Sequence, residues 1–319
     1  MGLAKKRKVE MNNNKALWFY SPIKHSIPAQ TQMKSFIKKL ADDTHMLIDA
    51  IHIKGSGFNK ESRRIPDEMR GKFEKLYDLE ITKNIEGLKD SLNSFNIITQ
   101  NQSGRDKDLE LAIKKIDESN PSFVITNSHG SKGLERLWVG SFTEGLISKI
   151  KKPIICISEN ASIRSMKTAF MPTDLSKSDF SLIKTILSDS CFKFLEKIVI
   201  FNHINCNQFL DHPHSHGQLF GLEGFEPFFD EMKECNSKNL RGWVAELKKD
   251  FKNINIDSKT VSSYNSTEDE IINQSFGIGT GIILFKKKKN SLFPSYLGSI
   301  SKKVIRNSKA PVCILSEKF

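Results

Sequence analysis

The sequence predicts an α/β protein made of two tandem doubly wound domains, each a parallel sheet flanked by helices. Short apolar runs alternate with amphipathic helical segments along almost the whole chain, and this alternation is typical of parallel sheets with helices on both faces. A helix–strand unit from the middle of the chain recurs near its end. The length of 319 residues also suits two domains of about 150 residues each.

The first predicted domain spans residues 15–158 and contains five strands. Each strand is a short run rich in β-branched or aromatic residues, and the five runs are KALWFY, HMLIDAIHI, FNIIT, PSFVIT and PIICIS. Helices are predicted where apolar residues recur with a period near 3.6. These helical segments are TQMKSFIKKLADD, the long stretch from Pro66 to Leu92, DLELAIKKIDE and the segment that begins at Ser141.

The second predicted domain spans residues 167–319 and repeats the order of the first. Its strands are KTAFMPT, KIVIFNHI, INIDSKTVSS, GIILF and APVCILS. Its helices are SDFSLIKTILSDS, NLRGWVAELKKDF, TEDEIINQSF and SISKKVIRNS. Residues 159–166 are predicted to link the two domains.

An internal repeat supports this division. The segment GSFTEGLISKIKKPIICIS starts at Gly140, and GSISKKVIRNSKAPVCILS starts at Gly298. The two align without a gap at an offset of 298 − 140 = 158 residues. Gly-Ser, an isoleucine, a lysine, a proline and the final serine coincide, which indicates a duplication of the whole domain.

Net charge, cysteine spacing and the lengths of apolar runs limit which partners and cellular locations the sequence favours. The net charge of +12 favours polyanionic partners such as nucleotides or nucleic acid. The lysines are scattered rather than interleaved with aromatic residues, so a solvated basic surface is the simpler interpretation and a nucleic-acid partner the alternative. Five cysteines without CxxC spacing argue against a zinc knuckle or a disulfide framework and favour the cytoplasm. No apolar run is long enough to span a membrane, and no secretory signal is recognisable.

A basic arm, residues 1–14, precedes the first predicted strand. Its segment KKRKV resembles a short nuclear import signal. Either the natural chain starts at Met11 and the residues before it are an addition, or the arm is a native disordered tail. In both cases it is not expected to belong to the fold.

A histidine-rich segment lies in the second domain, with Asp211, His212, His214 and His216 close together in the sequence. Alternating histidines share one face of an extended segment and would suit a transition metal. The neighbouring proline and glycine favour a polar loop instead. We therefore expect no bound metal.

The spacing around the repeat resembles the signature of the universal stress protein family. Gly130, nine residues, then Gly140 and Ser141 are followed by a helix and a proline-led strand. SHG together with GSFTE is similar to the ATP-binding branch of that family. The resemblance covers both halves and implies a five-stranded parallel sheet of order 3-2-1-4-5 in each, with the halves paired through their last strands.

The predicted ligand is ATP or ADP, held by the first domain. Glycines let backbone N–H groups approach an anion closely, and a helix beginning near Ser141 directs its positive end to the same place. The predicted binding residues are Asn127, His129, Gly130, Gly140, Ser141, Phe142 and Thr143. The glycines and the Ser141 and Phe142 amides are expected to hold phosphates, and the Ser141 and Thr143 hydroxyls to donate to them. No acid/base pair that would indicate catalysis is evident.

The two halves depart from the family pattern in opposite ways. By resemblance, Asn127 replaces the first signature glycine, and the acid of the family's first strand falls on Pro22 in the first half and on Asp174 in the second. Counting back from Gly298 places Phe285 and Lys288 at the glycine positions of the second half. The second half is therefore expected to complete a pseudo-dimer without binding nucleotide.

The resemblance implies a stress-response or signalling role. The alternative is a structural or protein-interaction module with both nucleotide sites inactive. Association of whole chains into a homo-oligomer is left open by the sequence.

Overall fold

The computed structural model describes residues 14–21, 27–55, 58–59, 62–100, 105–128, 140–158, 161–162, 164–210, 225–287 and 297–316. Ten strands form one sheet: β1 (Lys15–Phe19), β2 (Leu47–Lys54), β3 (Ser94–Thr99), β4 (Phe123–Asn127), β5 (Ile154–Ile157), β6 (Thr168–Pro172), β7 (Lys197–Asn205), β8 (Asn255–Ser263), β9 (Ile282–Lys286) and β10 (Val312–Leu315). All ten predicted strands are present.

The described α-helices follow the strands in the predicted alternation. They are α1 (Ile27–Thr44), α2 (Asp67–Glu86), α3 (Arg105–Ser119), α4 (Ser141–Lys149), α5 (Lys177–Ser188), α6 (Asn207–Leu210), α7 (Glu226–Asp250), α8 (Thr267–Ile278) and α9 (Ser299–Asn307). Two short 3₁₀ turns, Lys89–Ser91 and Ser190–Phe192, precede β3 and β7. Among these helices, none is both long and apolar enough to cross a membrane.

The strand order of the sheet is β3-β2-β1-β4-β5-β10-β9-β6-β7-β8. Each half therefore has the order 3-2-1-4-5, with all its strands parallel. The fold class read from the sequence is confirmed.

The helices divide between the two faces of the sheet as right-handed crossovers require. One buried cluster joins the sheet to α1, α2, α5 and α7. The other joins it to α3, α4, α8 and α9. Because each cluster runs through both halves, the halves share a core on each face instead of burying separate ones.

The halves meet at the antiparallel pair β5–β10. Cys156 lies opposite Val312, and Ile155 lies opposite Cys313, and all four side chains are fully buried. Neither apolar strand is left as an open sheet edge, which would be a site for association.

The segment between the halves is packed where it is described. The Met166 amide donates to Asp43 Oδ2 at 2.8 Å, which ties the segment to α1. Gly281, just before β9, lies so close to this segment that an added Cβ would sit 1.9 Å from Ser165 O. Only glycine allows this approach of two backbones.

Helix α7 is longer than the sequence predicted. It begins at Glu226 instead of Asn239, with a proline in its first turn. The added turns are mostly polar and carry few apolar residues, so their helical period is weak. Phe229 nevertheless packs on Ile204 and Cys206 in a small cluster of its own, and this contact stabilises the first turns.

Candidate functional site

The candidate site lies where the strand order of the first half reverses. β1 is flanked by β2 on one side and β4 on the other, so the connections that leave β1 and β4 run to opposite faces. In such sheets a crevice opens at this point, beyond the carboxyl ends of the strands. The described residues at its rim are Tyr20 and Ser21 after β1, and Asn127 and Ser128 at the end of β4.

Helix α4 begins at this crevice without a capping side chain. Its N-cap residue is Gly140, which makes no side-chain cap hydrogen bond. The Gly140 amide donates to Ser128 O at 3.0 Å, and the first helical bond runs from the Glu144 amide to Gly140 O at 2.9 Å. The first-turn amides and the positive end of the helix dipole therefore face the crevice, an arrangement that suits an anion.

Thr143 fastens the helix to the strand. Its hydroxyl donates to Asn127 O at 2.8 Å and lies 3.2 Å from Thr126 Oγ1, and the side chain is buried. This hydroxyl is already engaged, so Thr143 positions the start of α4 and is not placed as a phosphate donor. The role that the sequence suggested for its hydroxyl is revised accordingly.

The other predicted binding residues occupy different environments. Ser141 is exposed at the first position of α4, and the half-buried Phe142 ring packs edge-on against Phe19 with centroids 5.7 Å apart. The Asn127 side chain is buried. His129 and Gly130 lie outside the described residues.

The far side of the crevice is stabilised by a buried histidine. His52 Nδ1 donates to Tyr20 O at 2.9 Å, and the Tyr77 hydroxyl lies 3.0 Å from His52 Nε2 as its donor. Burial lowers the pKa of His52, although the Tyr20 carbonyl and Asp78 act in the opposite sense. The neutral ring thus fixes the end of β1 against β2 and α2.

Strand pairing corrects the alignment of the two loops. Asn127 pairs with Ile157, and Lys286 pairs with Leu315. Ile157 and Leu315 are equivalent in the repeat, since 315 − 157 = 158. Lys286 is therefore the counterpart of Asn127, and the assignment of Phe285 to that place was wrong by one residue, because the loop before α9 is one residue shorter than the loop before α4.

The first strands show the same kind of shift. Val124 of β4 and Ile283 of β9 are equivalent, because they pair with Ile154 and Val312, which occupy the same place in the repeat. Leu17 pairs with Val124, and Phe170 pairs with Ile283. Equivalent residues of β1 and β6 therefore differ by 170 − 17 = 153. The counterpart of Asp174 is then Ser21, because 174 − 21 = 153. The assignment of this position to Pro22 was also wrong by one residue. The acid is absent from the first half in either alignment.

In the second half the equivalent crevice is bridged by an ion pair. Lys286 Nζ lies 3.0 Å from Asp179 Oδ1 and 2.6 Å from Ser178 Oγ. Asp179 is buried and also accepts from the Thr173 hydroxyl at 2.8 Å. The lysine at the end of β9 thus reaches across β6 to the start of α5, through the space that a ligand would need.

Asp174 takes part in this bridge from the surface. Its Oδ1 accepts from the Ser176 amide at 3.0 Å. Partial burial alone would raise the pKa of the Asp174 carboxyl, but hydrogen bonds from Ser176 and the charge of Lys286 outweigh it and lower the pKa. Asp174, the residue that aligns with the acid of the family's first strand, is therefore already hydrogen-bonded within its own loop.

Within the described part of the chain, no three histidine, cysteine or acidic side chains are grouped to hold a metal ion. The histidine-rich segment from Asp211 to Gly217 lies outside the described residues, so the expectation that it binds no metal stays a prediction.

Comparison with known proteins identifies the fold. No family model matches the sequence, and no curated protein matches it significantly. Among solved structures, a universal stress protein from Archaeoglobus fulgidus aligns over 94% of this chain and 96% of its own, with a TM-score of 0.54 and 16% identity. A putative universal stress protein from Pseudomonas aeruginosa aligns over 97% and 95%, with a TM-score of 0.53 and 9% identity.

A second Pseudomonas aeruginosa protein, described as functionally unknown, aligns over 97% of this chain and 94% of its own, with a TM-score of 0.53 and 10% identity. Similarity at this level of identity establishes the fold alone. The resemblance to the universal stress proteins is thereby confirmed for the fold, over both halves of the chain.

Proposed function

We propose that the protein binds an adenine nucleotide, ATP or ADP, through its first half and acts in a stress response or in signalling. The observation that carries this proposal is the start of α4. Gly140 leaves the first turn without a side-chain cap, and this turn opens onto the crevice between β1 and β4. A phosphate group is the kind of ligand that such a helix start accommodates.

The roles of Gly140, Ser141, Phe142, Asn127 and Thr143 follow from their positions, whereas those of Gly130 and His129, which lie outside the described residues, are proposed from the sequence alone. Gly130, Gly140 and the Ser141 and Phe142 amides hold the phosphates, and the exposed Ser141 hydroxyl donates to them. His129 lines the loop. Asn127 and Thr143 hold strand and helix together through their 2.8 Å hydrogen bond.

The second half serves as the partner in the pseudo-dimer and leaves its own crevice without nucleotide. The bridge from Lys286 to Asp179 supports this assignment, because both side chains are mostly buried. Displacing such a pair would leave buried charges uncompensated. The protein is assigned to the cytoplasm, with neither a membrane nor a nucleic acid as its partner.

Calorimetric titration of ATP and ADP into wild type and three variants tests the proposal. Gly140→Val places a side chain where the phosphates approach and should abolish binding. Ser141→Ala removes one donor and should cost about 1 kcal/mol, or up to about 3 kcal/mol if the bond is to a charged phosphate. Ser299→Ala is the matched control, since 299 − 141 = 158, and should leave affinity unchanged.

Absence of binding by the wild type, or equal affinity in wild type and Gly140→Val, would contradict the nucleotide proposal. The alternative function, a protein-interaction module, would then be supported by the exposed surface of α2. Met69, Leu76 and Leu79 are each more than half exposed there, and large apolar side chains exposed together are typical of a contact surface.

A further inference from the structure

The repeat brings opposite charges together at one pair of equivalent positions. Glu144 of α4 and Lys302 of α9 are related by the offset 302 − 144 = 158. Lys302 Nζ lies 2.9 Å from Glu144 Oε1, and the two side chains are only 29% and 33% exposed. Each half thus contributes one member of an ion pair that crosses the junction.

Glu144 stands in the first turn of α4, the turn that faces the crevice of the first half. A carboxylate at a helix start interacts favourably with the dipole, and for the same reason it opposes the binding of another anion there. Like charges at a partly buried site repel more strongly than they do in bulk water. An unpaired Glu144 would therefore weaken binding of any phosphate at Ser141.

The second half also holds the other end of the same helix. Lys287 Nζ donates to the carbonyl of Ile150, the C-cap residue of α4. Lys287 is only 5% exposed, and a cation at this end complements the helix dipole. The equivalent residue of the first half is Ser128, which carries no charge. The first half instead holds the C-cap residue of α9 through the Ser158 hydroxyl, which donates to Ser308 O at 2.7 Å, so only the contact with α4 involves a lysine.

We propose that the second half completes the phosphate site of the first half, with Lys302 neutralising Glu144 in the first turn of α4. This inference rests on the nucleotide binding proposed above. It gives the second half a function that does not need a ligand of its own. Lys302 does not contact the phosphate in this scheme. It is a positioning residue, because it acts by offsetting the negative charge of Glu144.

Titration of ATP into Lys302→Gln tests the inference in the chain of 319 residues. Affinity should fall about fivefold at low ionic strength, because the Glu144 charge is no longer offset. The loss should shrink in high salt, which screens partly exposed charges. Lys302→Arg keeps the charge and should bind as the wild type does.

Two further variants separate charge from packing. Lys303→Gln makes the same change in net charge one residue away, but Lys303 pairs with Glu268 inside the second half, so affinity should be unchanged. Adding Glu144→Gln to Lys302→Gln should restore affinity, because the repelling carboxylate is removed together with its partner. A loss caused by disturbed packing would not be repaired in this way.

The outcomes distinguish this inference from the nucleotide proposal. A wild type that binds no ATP overturns both. A wild type that binds ATP while Lys302→Gln and Lys303→Gln bind equally well overturns the inference alone. A loss in Lys302→Gln that persists in the double variant also overturns it, because the effect would then be independent of the Glu144 charge.

Discussion

Lys287 lies in an environment that disfavours the charged form of its side chain. Burial lowers its pKa from 10.5 to about 8, and the Ile150 carbonyl that it contacts bears no full charge. The folded protein therefore releases this proton more readily than the unfolded chain does. Stability that depends on Lys287 is fully present above pH 10.5 and is lost as the pH falls through about 8.

We predict that Lys287→Met changes how stability depends on pH. Relative to the variant, the wild type should gain up to about 3 kcal/mol of unfolding free energy as the pH rises from 7 toward 10.5, at about 1.4 kcal/mol for each unit of pKa difference. Denaturant titrations of both proteins at pH 7 and pH 9.5 measure this, because other ionising groups cancel in the difference. A difference that stays constant with pH would contradict it.

At the scale of single elements, Gly281 and Gly242 differ in how closely other atoms approach them. Gly281 lies against the segment between the halves, and an added Cβ would meet backbone atoms of Ser165 and Met166 at 1.9 to 2.8 Å. Gly242 lies inside α7, and an added Cβ there would meet nothing within 4 Å. The same substitution is therefore expected to have opposite effects at the two positions.

We predict that Gly281→Ala lowers the unfolding free energy by at least about 2 kcal/mol, because backbone atoms must shift to make room. Gly242→Ala should raise it by about 1 kcal/mol, since alanine favours the helix over glycine. Thermal and denaturant unfolding of both variants provide the measurement. Similar effects of the two substitutions would show that α7 and the inter-half segment are packed differently from this structure.

The elements were predictable from the sequence because their signals are local. Apolar runs such as PIICIS and APVCILS identify strands without any knowledge of their neighbours. The alignment of equivalent residues between the two halves was not predictable, because the loop before α9 is one residue shorter than the loop before α4. Only the pairing of Lys286 with Leu315 revealed that this lysine, and not Phe285, stands in the place of Asn127.

The candidate site was predictable in part for the same reason. Gly140 and Ser141 were recognisable because their spacing from Gly130 and the helix that follows resemble the universal stress protein signature, and because a helix start suits an anion. The engagement of Thr143 with Asn127, and the ion pair of Glu144 with Lys302, depend on contacts between distant segments. The run of four lysines that starts at Lys286, the last residue of β9, likewise did not show that Lys286 would turn toward α5 and Lys287 toward Ile150.

At the scale of the whole molecule, the halves depend on each other through β5 and β10. Produced as separate chains, residues 1–158 and 159–319 would each expose one fully buried apolar strand. We predict that each half aggregates alone or that the two associate when mixed. Size-exclusion chromatography of each half and of the mixture measures this. Two stable monomers that do not associate when mixed would contradict the shared core.

The joining of both halves in one chain has a genetic consequence. In a dimer of identical subunits, every substitution near the symmetry axis appears twice, so a glutamate on the axis would face a second glutamate. Duplication removes this restriction, because each copy can then change alone. The pairing of Glu144 with Lys302 needs two copies that differ at this position, and the fused chain provides them. Fusion therefore permits one copy to lose its own ligand while it becomes a specialised part of its neighbour.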